Sequence, residues 1–199
     1  MNNAVAFHEN ESLKQAFLQG AGLAGDAIGA LTPETMELLG KLLASSLQGT
    51  IDLLAQRSLV RKEVDADVTM VVVRNNNPLK FFPDSQTVLT QMLRKKMPGF
   101  MEPLEALDDA RRDLGAHQLG VVAGTRAGFD ALLQRFDPQR IEAALPVGGL
   151  MDSLIASRRP AAAWDLYKHQ YASARGEAAD PFKGASFRSA YEQEAERHD

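Results

Sequence analysis

Pro103-Leu-Glu-Ala-Leu-Asp-Asp-Ala-Arg-Arg-Asp-Leu-Gly-Ala-His-Gln-Leu-Gly-Val-Val-Ala-Gly-Thr-Arg-Ala-Gly-Phe-Asp-Ala-Leu-Leu-Gln-Arg-Phe136 decides the fold. Leu104, Leu107, Ala110, Leu114, Val121, Phe129, Leu132 and Phe136 recur at steps of three, four or their sums, which is helical spacing. Unbroken, the segment makes a helix about 50 Å long. A compact sphere of this chain's mass is only about 40 Å across. The reading is therefore an elongated domain or a bent helix. Ala116, Gly120, Gly124 and Gly128 recur every four residues within it, and each glycine costs about 1 kcal/mol against alanine in a helix interior. A groove of small residues offsets that cost by letting another helix approach closely, either in the core of the same chain or in a second copy.

His117 lies on the apolar side of this helix with Gln118 beside it. A second ligand at i+3 or i+4 would argue for metal, but Gly120 and Val121 occupy those places, so His117 reads as a hydrogen-bonded core residue. Asp108 and Asp109 with Arg111 and Arg112 read as a solvated charged face. As a catalytic pair, the carboxylates would need a pocket that separates their pKa values.

Upstream, Arg74-Asn-Asn-Asn-Pro-Leu-Lys-Phe-Phe-Pro-Asp84 interrupts the helical pattern. Asparagine tolerates left-handed backbone angles, and Pro78 disfavours helix at Asn77, so the string predicts a turn. Phe81 and Phe82 follow at once, and rings of that size are expected to pin the turn to the core or to meet a partner.

Other helices are expected over Glu11 to Leu18, ended by the glycine-rich stretch Gly20 to Gly29, and from Thr32-Pro33 to Glu63 with Met36, Leu39, Leu43, Leu47, Ile51 and Leu54 as its stripe. Further helices are predicted from Asp84 to Lys96, with Arg94 to Lys96 in its last turn, and from Pro138 to Leu145 before a Pro146 to Gly149 loop. The last two run from Pro160 to Glu177 and from Pro181 to Arg197. Trp164, Tyr167 and Tyr171 share one face of the penultimate helix, where core packing is the default and a binding face the alternative. Val64 to Val73 has β-branched content but no second strand to pair with, so it reads as extended or as a frayed helix end. The expectation is one all-α, elongated domain over 11–197, with two long helices and several shorter ones behind a flexible 1–10.

The totals narrow the function. Lys+Arg 22 against Asp+Glu 26 gives a net charge of -4, which leaves no basic field for nucleic acid. With no cysteine, a disulfide framework, a zinc-thiolate site and a cysteine nucleophile are all excluded. The N-terminus has neither the cationic nor the apolar region of a signal peptide, and no apolar run approaches the roughly 20 residues of a membrane span. A cytoplasmic protein is expected. No nucleotide-binding, kinase or hydrolase signature occurs, so neither an enzyme nor a cofactor is expected.

Ala16-Phe-Leu-Gln-Gly-Ala-Gly-Leu23, Asn76-Asn-Pro-Leu-Lys-Phe81, Pro98-Gly-Phe100, Ala116-His-Gln-Leu119, Arg135-Phe-Asp-Pro138 and Trp164-Asp-Leu-Tyr167 occur in this order. Over Glu11 to Glu194 the chain resembles the C-terminal domain of FHA-domain proteins associated with bacterial type VI secretion, the TagH type. In that family a phosphothreonine-reading β-sandwich normally precedes this domain. Fewer than 20 residues precede the first matched string, so the expectation is a chain without that sandwich or its phosphopeptide role. Phe82, following the matched Phe81, and the glycines at 120 and 128 depart from the family's pattern.

The resemblance implies a non-enzymatic adaptor that contacts baseplate, sheath or membrane-complex proteins. The candidate partner-binding residues are Asn76, Asn77, Pro78, Leu79, Lys80, Phe81, Phe82, His117, Gln118, Trp164 and Tyr167. A homo-oligomer through Gly120, Gly124 and Gly128 is an added possibility. The alternatives are a small-ligand cleft lined by Phe81, Phe82 and His117, and a hydrolase using carboxylates such as Asp108.

Overall fold

The computed structural model describes residues 2–25, 27–64, 75–94, 98–145, 158–178 and 184–198. Among these, all regular structure is helical: α1 (Asn2–Ala21), α2 (Pro33–Glu63), α3 (Pro78–Phe81), α4 (Ser85–Leu93), α5 (Pro103–Arg135), α6 (Pro138–Ala143), α7 (Arg158–Ala178) and α8 (Ala185–His198). The all-α class expected from the periodicity is thus the one observed. The chain forms two compact units, Met1–Gly49 and Thr50–Asp199, with the boundary falling inside α2. None of the described helices is long and apolar enough to cross a membrane.

In the first unit, α1 is longer than the stretch expected from Glu11. It ends where glycine permits: Gly22 adopts φ +66, its N–H bonds the Gln19 carbonyl at 3.2 Å, and the Leu23 N–H bonds that of Leu18 at 2.9 Å. This pair of bonds is the Schellman closure, which requires a left-handed residue at its turn. The Thr32 hydroxyl then accepts the Thr35 N–H at 3.2 Å and starts α2, with Pro33 at the first helical position. The stripe of α2 is only partly a core face. Leu47, Ile51 and Leu54 are buried, but Met36 and Leu43 are exposed.

In the second unit, α5 is one helix from Pro103 to Arg135, and α8 lies antiparallel along it. The large apolar residues expected to make the core face of α5 do not make it. Leu104, Phe129 and Leu132 are exposed, and the buried face is instead Ala106, Ala110, Asp113, Ala116, Gly120 and Gly124. Volume on that face comes from α8, whose Phe187 and Tyr191 form a core with Val64, flanked by Val60 and Val121. Rings from one helix fill the groove left by small residues on the other, which keeps the packing dense.

The shorter helices follow their caps. Asp84 accepts the Thr87 N–H at 2.7 Å and starts α4, which ends at Leu93, so Arg94 is a capping residue and not part of a last turn. Asp137 accepts the Gln139 N–H at 2.9 Å and starts α6. Val64 closes the end of α2 through a 3.1 Å bond to the Val60 carbonyl. The rest of the stretch expected to be extended, together with the Pro146 to Gly149 loop, Pro181 and Phe182, lies outside the described residues.

Candidate functional site

The asparagine string is a built turn. Asn75 takes φ +65, the left-handed angle that asparagine tolerates, and its side-chain amide donates to Glu105 at 3.0 Å. Asn76 pairs with the chain at Phe100 as an isolated bridge: its N–H bonds the Gly99 carbonyl at 2.8 Å and its carbonyl accepts from Met101 at 3.0 Å. Asn77 is buried and satisfied on both sides. Its Oδ1 accepts the Leu79 N–H at 2.8 Å and so caps α3, while its Nδ2 donates to the Ala106 carbonyl at 2.8 Å and to Asp109 at 2.7 Å. Pro78 at the first helical position and Leu79, 1% exposed, complete the anchor. The four-residue α3 was not foreseen within what read as a turn; a proline after a capping asparagine is its signal.

Lys80 extends the anchor electrostatically. Its ammonium lies 2.8 Å from Asp109 and 2.6 Å from Asp113, and Asp113 also binds Arg57 of α2 at 2.8 Å. Two carboxylates and two cations therefore tie α2, α3 and α5 together. Burial alone would push the Asp109 carboxyl up. The hydrogen bonds from Asn77 and Lys80, with the charges of Lys80 and Arg112, outweigh it and hold the group below the usual carboxylate range. Neither Arg57 nor Asp113 was singled out from the sequence. The available signal was an aspartate in helical register with Ala106, Ala110 and Gly120 on a face of small residues. The solvated-face reading holds for Asp108, which stays exposed and pairs with Arg111 at 3.3 Å, but not for Asp109, which is drawn into the anchor by Asn77 and Lys80.

Of the two roles open to the phenylalanines, pinning the turn to the core and meeting a partner, the first does not hold for Phe81. Phe81 remains 59% exposed, so it does not pin the turn to the core. It meets Phe82 and Phe100 edge-on at centroid distances of 5.1 and 5.3 Å, and Phe82 stacks on Phe100 at 5.4 Å. Buried polar and aliphatic groups hold this turn, which frees an aromatic cluster to stand at the surface. The second aromatic group is similar. Trp164, 61% exposed, stacks on Tyr167 at 5.4 Å, and Tyr167 in turn touches Phe136 at 5.6 Å. The core reading of this stripe thus fails for Trp164 and Tyr171, both exposed.

His117 belongs to neither group. Its Nδ1 is 2.8 Å from the Tyr191 hydroxyl, and the rings meet edge-on at 5.7 Å. Burial, then the charges of Arg57 and Arg61, hold the imidazole below its ordinary pKa against the opposing pull of Asp113. Burial likewise pushes the Tyr191 hydroxyl up. A neutral imidazole bonded to a phenol is what the core reading requires. Among the described residues the ring neighbour of His117 is Tyr191, whereas those of Phe81 are Phe82 and Phe100. Gln118 is exposed beside it.

The glycine groove is settled by α8. A Cβ on Gly120 would meet the Tyr191 ring at 2.9 Å, and one on Gly124 would meet the Phe187 ring and carbonyl at 2.9 Å. These two glycines are covered within the chain, which removes them from any contact with a second copy. A Cβ on Gly128 would meet nothing within 4 Å.

Neither the curated proteins nor the solved structures return a match. The model of one protein family, the C-terminal domain of Type VI secretion system FHA protein, matches residues 19–194, nearly the span over which the motif strings resemble that family. The chain belongs to this type VI secretion family.

Proposed function

We propose that this chain is a non-enzymatic adaptor of the type VI secretion apparatus, acting in the cytoplasm by holding aromatic contacts rigidly toward apparatus proteins. The observation that carries this reading is the contrast within one turn. Asn77 is buried and bonded to α5 and Leu79 is 1% exposed, while Phe81, two residues on, is 59% exposed. Such an arrangement suits binding, because a preorganised aromatic loses little freedom when a partner covers it. Trp164 on Tyr167 offers a second contact of the same kind. Of the residues expected to bind a partner, Lys80, Phe81, Gln118 and Trp164 have exposed surface to offer. Asn77, Pro78 and Leu79 act by holding the turn.

The test is recovery of the tagged chain from a bacterium that carries the secretion cluster. Sheath, baseplate or membrane-complex proteins should co-purify, and Phe81→Ala should reduce their yield without lowering the melting temperature. Recovery of none of these components with the wild-type chain would sink the adaptor reading.

A further inference from the structure

The face of α5 turned away from α8 carries its own pattern. Leu119, Val122, Arg126, Phe129 and Leu133 follow one another at steps of three, four, three and four, and all five are exposed. That is the spacing of a helix-pairing seam, and it lies about half a turn round the helix from Gly120 and Gly124, whose side α8 fills. Phe129 is 63% exposed and Leu133 70%, so the seam is uncovered.

Arg126 selects the occupant. It is the middle member of the five, and among the described residues no carboxylate pairs with it, Asp130 four residues on included. Val122 and Phe129 are next on either side of it, and Leu119 and Leu133 lie beyond, each seven residues away. A second copy docked on the same face would set guanidinium against guanidinium in parallel register, and in antiparallel register would set Arg126 against Val122 or Phe129 with no carboxylate to meet it. Like charges facing across a seam are the usual device against self-pairing.

We propose that this face binds an amphipathic helix of another protein that has apolar residues at its seam and a carboxylate at the position facing Arg126. The proposal rests on the adaptor reading and names a surface for it. Arginine suits the role, because its planar fork meets a carboxylate through two hydrogen bonds and its stem packs on flanking apolar groups.

The test uses the full chain and two synthetic helices of about three heptads. Both carry leucine at the seam; one has glutamate and the other lysine at the central seam position. By fluorescence anisotropy, the glutamate helix should bind wild type about tenfold tighter than the lysine helix, and Arg126→Glu should reverse the preference. Phe129→Ser should weaken both, with an unchanged circular dichroism melt. Equal binding of the two helices, binding of neither, or a sedimenting dimer that Val122→Glu dissociates would overturn the proposal. The adaptor reading is judged separately: secretion proteins still co-purifying with Arg126→Glu and Phe129→Ser would overturn this face and leave the adaptor standing.

Discussion

At the scale of single residues, two positions on α5 are used to their limit. A Cβ on Gly124 would meet the Phe187 ring and backbone carbonyl at 2.9 Å, and because one neighbour is backbone, a methyl there forces the two helices apart. Gly124→Ala should cost about 1–3 kcal/mol, as overpacked cores do. Gly128→Ala, in the same helix with open space around it, should instead gain up to about 1 kcal/mol. Urea unfolding of the two variants separates them by sign, and a gain at Gly124 would break the packing argument. His117 gives a pH dependence. Burial and the positive charges of Arg57 and Arg61 depress its folded pKa, Asp113 opposes them, and Tyr191 is its hydrogen-bond partner. The unfolded chain regains the ordinary value of about 6.5 and takes up the proton first. The stability is therefore fully present above that value and is lost as pH falls through it toward the folded pKa. Thermal midpoints should drop as pH falls through about 6.5, and His117→Gln should flatten that part of the profile.

Between elements, the connection of α3 to α5 and α2 is polar and buried, and its parts differ in what they lose on mutation. Asp113 holds Arg57, whose side chain is 11% exposed, and Lys80, whose side chain is 37% exposed. Lys80 can return to water when its partner is removed, but Arg57 cannot. Asp113→Ala should therefore cost about 3–5 kcal/mol, the range for an orphaned buried charge. Leu79→Ala should cost about 2–5 kcal/mol. Phe81→Ala should stay within about 1 kcal/mol, because its ring is mostly in water already. Denaturant midpoints would show the order, and a large loss at Phe81 would return that ring to the core. The same elements show what the sequence could carry. Helix starts were legible at Thr32-Pro33, Asp84 and Asp137 because a cap is a local event. The buried face of α5 was not, because large residues were taken as the inward ones. Which face is inward depended on Phe187 and Tyr191, roughly sixty to seventy residues away in the chain. The turn at Asn75 to Leu79 was legible as a turn, but its anchors Asp109, Asp113 and Arg57 come from other helices and share no motif with it.

For the molecule as a whole, the exposed rings raise the question of how many independent contacts it offers. Phe81 touches Phe82 and Phe100, whereas Trp164 touches Tyr167, so among the described residues Phe81 and Trp164 share no aromatic neighbour. Groups without shared partners usually contribute additively, while those in one network do not. If both clusters meet the same apparatus protein, Phe81→Ala and Trp164→Ala should each weaken binding by about 1–2 kcal/mol, roughly five- to thirty-fold. The double variant should then lose close to the sum. Affinities measured with the co-purified component, alongside melting curves to hold folding constant, decide the matter. A double variant no weaker than the poorer single one would confine the contact to one cluster. A loss well above the sum would mean that the two rings are coupled through the partner.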